Sequence, residues 1–343
     1  MESEKKILSG LSPEMYEHVF DKKALDRLKV VPALKNVLEF ITKHAIEKLY
    51  SIQYTGSHLR VSEKRYPEIY EYLKRACQIL DVKTIPELYV KWDYTIDAET
   101  YGSENPIIVL NSGLLDLCTD DEIMFLIGHE VGHIKSNHML YHMAAEILVF
   151  LIDYIPLLGQ ASQLALYYWD RMSDLTADRA GLLCCQNSEA MISALMKMAG
   201  VPLKEHSKIN TESFLEQARS FEGLKEIDRE YEMFMNEAEH EEKNEGMDEA
   251  DLDKLLDQDD NTSKDKNNSA FSIGSIKKKI EEMKILEKIK SKSAEKEDKF
   301  LRMAAIAGSR EPWTVMRASE LLKWIDEGNY KKAVDEYGQD RIS

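Results

Sequence analysis

Positive charge is scarce in this 343-residue chain: 45 Lys and Arg stand against 62 Asp and Glu, for a formal net charge of −17. Phosphate backbones are bound by basic patches, so this balance argues against nucleic acid as the main partner. Cysteine is sparse as well. Cys77, Cys118, Cys184 and Cys185 show no CxxC spacing and sit among apolar residues, so they read as buried free thiols of a reducing compartment. The opening MESEKKILSGLSPEMYEH has no apolar signal-peptide core, which argues against secretion by that route. Long apolar runs are nearly missing too. ILVFLIDYIPLLG, from Ile147 to Gly159, falls short of the roughly 20 apolar residues a span requires and carries Asp153 and Pro156. A buried helix or an interfacial hairpin suits it better. These absences point to a cytoplasmic location and leave peripheral membrane association open.

What is present suffices for a sizeable core: 43% of residues are hydrophobic and 31% charged, as in soluble globular proteins. Residues 1–80 read as a helical region, since ALKNVLEFITKHAIEKLY and YPEIYEYLKRACQIL repeat apolar residues at three-and-four spacing. Residues 81–236 begin strand-rich, in ELYVKWDYTIDAETYG and PIIVLNSGLL, and then turn helical. Residues 237–297 are acidic and lysine-rich, nearly free of aromatics, and read as a mobile insertion. Helical sequence resumes over 298–343.

Ionisable side chains interrupt one apolar stretch, FLIGHEVGHIKSNH, from Phe125 to His138. His129 and His133 are four residues apart, so a helix projects both imidazoles from one face. With Glu130 beside them, the pattern suits a Zn²⁺ ion and a carboxylate that acts on a water molecule. The bland alternative is a pair of hydrogen-bonded core histidines. His138 and His142 form a second such pair. On a straight helix His138 falls opposite His129, which predicts exposed or locally hydrogen-bonded rings rather than ligands. A third ligand is expected on another element. In WDRMSDLTADRAG, Asp174 and Asp178 share a helical face, so one could ligate and the other orient a ligand histidine. Composition supports equally well two solvent-facing charges paired with Arg171 and Arg179.

With DLTADRA following the HExxH stretch, the sequence resembles the zinc metallopeptidases of the CAAX-prenyl-protease and HtpX-like family, which join HExxH to a later ExxxD. PELYVKWDYTIDAETYGSENPIIVLNSGLLDLCTDDEIMFLIGHEVGHIKSNH follows that family's order of strands and metal helix. SREPWTVMRASELLKW resembles its C-terminal His-Pro…Arg element, and MYEHVFDKKALDRLKVVPAL is similar to the leader of soluble-looking members. The resemblance implies an α+β, mainly helical zincin with a small mixed β-sheet beside the metal helix. In that reading 81–236 is the catalytic core, the 1–80 region packs on it, and 298–343 completes it. One Zn²⁺ per chain would be held by His129, His133 and Asp174, with Asp178 orienting a ligand histidine. Glu130 would be the general base toward a zinc-activated water in a metalloendopeptidase acting on protein or peptide substrates. Arg317 would steady the tetrahedral intermediate or a neighbouring acid, with a plain surface ion pair as the alternative. Ala98, Glu99, Thr100 and Tyr101 would form a substrate-pairing edge, with Glu311 also at the substrate. Three positions depart from the family pattern: Asp174 for glutamate, Glu311 for histidine and Asp97 for asparagine. The changes at Asp174 and Glu311 support one rival, a zinc-binding but proteolytically weak scaffold or regulator. A second rival is an acidic helical interaction protein that works through the insertion.

Overall fold

The computed structural model describes residues 5–29, 38, 46–151, 160–200, 211–245 and 313–339. Its architecture is α+β. Strands β1 (Ile7–Leu8), β2 (Leu59–Arg60), β3 (Glu87–Lys91), β4 (Ala98–Tyr101), β5 (Ile107–Asn111) and β6 (Gly338–Gln339) are short and few. Helices account for most of the rest: α1 (Val19–Lys29), α2 (Ile46–Ser57), α3 (Pro67–Ile79), α4 (Ser112–Leu117), α5 (Asp120–Lys135) and α6 (Met139–Leu151). They continue with α7 (Gln160–Cys185), α8 (Ser188–Met198), α9 (Thr211–Ser220), α10 (Gly223–Glu245), α11 (Thr314–Asp326) and α12 (Asn329–Tyr337).

The main sheet is mixed, in the order β2-β3-β5-β4, with β3 and β5 parallel and the outer pairs antiparallel. β5 is buried along its whole length, as expected of an unalternating run such as IIVLN at the sheet centre. β4 is an edge strand, with no partner on its outer side among the described residues. Asn111 N–H donates to the Asp97 carbonyl at 3.1 Å. The alternation of antiparallel pairing then turns the backbone groups of Ala98 and Thr100 outward.

α5 is buried continuously from Glu122 to His133. Glu122 fixes its start: the carboxylate accepts the Thr119 N–H at 2.6 Å and meets Lys197 at 2.6 Å from α8. α7 crosses α5 at close range because small residues face one another. A Cβ on Gly128 would come within 2.5 Å of Cys184 Cβ, and one on Gly132 within 2.5 Å of Ala180 Cβ. The shorter aspartate at position 174 therefore meets a helix that approaches closely enough for it. All four cysteines are free, Cys118 half-buried and the other three buried.

Three readings fall partly or wholly beyond this description, one of them the helix expected over ALKNVLEFITKHAIEKLY, of which only residues 38 and 46–50 are described. α10 continues through Glu245, past the expected start of the insertion at 237, and residues 246–312 lie outside the described residues, Glu311 among them. Residues 152–159 of the apolar stretch do as well, and no helix among the described residues is long and apolar enough to cross a membrane.

Candidate metal centre

His129 and His133 project from the C-terminal half of α5, 7% and 5% exposed, and α7 brings Asp174 to them. The two Nε2 atoms are 3.0 Å apart, and Asp174 Oδ1 lies 3.9 Å from His129 Nε2 and 3.6 Å from His133 Nε2. A triangle with these three sides has a circumradius of about 2 Å, which matches zinc–imidazole and zinc–carboxylate bond lengths of ~2.0–2.2 Å.

The outer ring nitrogens reinforce this fit. His129 Nδ1 meets Asp178 Oδ1 at 2.9 Å, so its proton sits there and Nε2 offers a lone pair. His133 Nδ1 meets His138 Nδ1 at 3.0 Å, which leaves its Nε2 facing that of His129. With both Nε2 atoms presenting lone pairs, a shared cation can bridge them, and the nearby carboxylate supplies the third donor of a zinc site. The residues present fit zinc.

Electrostatics divides the two rings. Burial disfavours a charged imidazolium at both. For His133 the neighbouring imidazoles add to burial and hold the pKa well below 6.5. For His129 the hydrogen bond and charge of Asp178 outweigh burial and raise it. Burial also raises the pKa of Glu130, with Asp97 and Asp174 adding to it against His129 and a hydrogen bond from Thr100. That bond runs from Thr100 Oγ1 to Glu130 Oε2 at 2.6 Å and ties the edge strand to the metal helix.

Asp178 is fully buried, so it is not a solvent-facing helix charge. Arg317, from α11, grips it with two donors, Nε at 2.8 Å and Nη2 at 2.5 Å. Burial alone would raise the Asp178 pKa, but Arg317 and His129 hold it low. Arg317 thus lies buried against the neighbouring acid and not in a surface ion pair. Arg179 donates instead to the carbonyls of Tyr16 and Glu17. On β4, Ala98, Glu99 and Thr100 are half-buried at the edge. Tyr101 packs inward, stacked on Tyr54 at 4.4 Å with its hydroxyl on Glu99.

One expectation is corrected. His138 and His142 do not lie across the helix from the metal face, because the helix does not run on. α5 stops at Lys135, and Asn137 takes φ +58°. The His138 N–H returns to the His133 carbonyl and that of Asn137 to Ile134, a Schellman closure. The chain reverses, and His138 and His142 come back onto the far nitrogen of His133, at 3.0 Å and 3.2 Å. Asn137 is the signal for this in the sequence, since asparagine tolerates the left-handed region that ends a helix.

The profile of the family described as peptidase family M48 matches residues 63–236. The chain is 30% identical to "Plastoglobule-localized metallopeptidase 48, chloroplastic" of Arabidopsis thaliana, over 63% of this chain and 64% of that protein. It is 27% identical to "Protease HtpX homolog" of Dictyoglomus turgidum, over 46% of this chain and 52% of that protein. The chain therefore matches less than two thirds of the length of either relative. No solved structure matches it.

Proposed function

The chain belongs to peptidase family M48, and from that premise we propose that it is a zinc-dependent metalloendopeptidase with Glu130 as general base. The observation that carries this reading is the convergence of His129 Nε2, His133 Nε2 and Asp174 Oδ1 beside a buried glutamate. When bound there, zinc supplies a Lewis acid that polarises a carbonyl and acidifies water.

The chain's own residues do the rest. Glu130 accepts a proton from the attacking water as its oxygen bonds to the peptide carbonyl carbon. It then delivers that proton to the amine nitrogen as the C–N bond breaks. Its raised pKa suits a group that must both take and give the proton. The Thr100 hydroxyl orients its Oε2. Asp178 holds the His129 ring, and Arg317 is a positioning residue acting through Asp178. An extended peptide adds to the β4 edge, where the outward backbone groups of Thr100 register it beside Glu130. The acid–base role of Glu130 predicts that Glu130→Gln lowers casein or peptide cleavage by about 10²–10⁴-fold at equal zinc content. Equal cleavage by the variant would refute the assignment.

A further inference from the structure

A metal-ligating histidine must present a lone pair from one nitrogen, and a partner on the other nitrogen decides whether it does. For His129 that partner is a carboxylate. For His133 it is another imidazole: His138 Nδ1 at 3.0 Å, with His142 Nε2 at 3.2 Å. An imidazole can accept or donate, so something further must fix which it does. Asp21 Oδ2 lies 3.3 Å from His138 Nε2 and fixes the proton there, which leaves Nδ1 as an acceptor. Asp170 Oδ1 does the same for His142 at 2.6 Å from its Nδ1.

The two arms differ in burial. The Asp170 side chain is 43% exposed, whereas that of Asp21 is fully buried and also holds Trp169 Nε1 at 3.0 Å and Thr176 Oγ1 at 2.5 Å. A carboxylate fixed by three donors in a dry environment orients its partner more firmly than one in water. Asp21 lies in the first turn of α1, outside residues 63–236.

We propose that Asp21 is a positioning residue of the metal centre, acting through His138 to set the tautomer and ring orientation of His133. The proposal rests on the zinc site proposed above. Zinc reaches Nε2 of His133 only while Nδ1 carries the proton, and the Asp21–His138 arm keeps it there. α1 is thereby a working part of the centre.

The test uses the full-length chain: wild type, His138→Ala, His138→Asn and Asp21→Asn. Zinc affinity is read by competition with a chromophoric chelator, and the melting of each metal-free protein is followed alongside. Loss of a partner behind a ligand histidine weakens metal binding about 10–100-fold, so His138→Ala is expected in that range and Asp21→Asn at about 10-fold. His138→Asn places Oδ1 where Nδ1 was, so it is expected to keep affinity within about 3-fold even if its metal-free form melts as low as that of His138→Ala. A merely structural role makes Ala and Asn equally weak, or leaves affinity untouched in both, and either result overturns the proposal. So does a wild type that binds two zinc ions and loses one in His138→Ala, since His133, His138 and His142 would then hold a second ion. A folded wild type that takes up no zinc instead overturns the zinc site itself, and this proposal with it.

Discussion

At the scale of single residues, the centre depends on charges that are dry and paired. Arg317 and Asp178 are 5% and 0% exposed, and each would be costly without the other. Removing one partner of such a pair costs about 3–5 kcal/mol, so Arg317→Met should lower unfolding stability by that amount in a urea titration. A variant as stable as wild type would show that the pair carries no such role. His18, whose backbone N–H donates to Thr176 Oγ1 at 2.9 Å, gives a pH test at a ring that is not itself a metal ligand. Its Nδ1 accepts the Phe20 N–H at 3.2 Å and its Nε2 meets Glu320 at 3.1 Å, an arrangement that suits the neutral ring. Burial holds its pKa below 6.5, with the Glu320 hydrogen bond opposing and Arg179 assisting. The unfolded chain then binds the proton first, so stability is present above pH 6.5 and is lost as pH falls below it. Melting temperature of the metal-free protein should drop over that window and drop less in His18→Gln. An identical slope in the two proteins would refute this.

At the scale of elements, the approach of α5 to α7 sets the spacing of the three donors. A methyl group on Gly132 would meet Ala180 Cβ at 2.5 Å, so Gly132→Ala should cost about 1–3 kcal/mol and weaken zinc binding together. Unchanged stability with unchanged zinc affinity would contradict this. The element scale also shows what the sequence made legible. Helical spacing in FLIGHEVGHIK was enough to put His129 and His133 on one face, since that geometry is local. β3, β4 and β5 were readable as strands from their β-branched and aromatic residues, whereas the central place of β5 is set by pairing that no local pattern carries. The fate of His138 was not readable from periodicity, because one left-handed residue, Asn137, reverses the chain and period counting carries on through it. Nor could spacing decide whether Asp178 faced solvent or a ligand. That depends on Arg317, 139 residues away, whose placement is a matter of tertiary packing.

At the scale of the whole molecule, the centre draws on three distant segments. α1 supplies Asp21, the α5–α7 pair supplies the ligand atoms with Glu130 and Asp178, and α11 supplies Arg317. No single stretch can preform such a site, so zinc binding is linked to the joint folding of these segments and zinc should raise the melting temperature. The most direct test of the account is therefore the zinc content of the folded, dialysed chain, wild type beside His129→Ala and Asp174→Ala. The account predicts one zinc per wild-type chain and none retained by either folded variant. A folded wild type without stoichiometric zinc, or an Asp174→Ala protein that keeps its full complement, would contradict it.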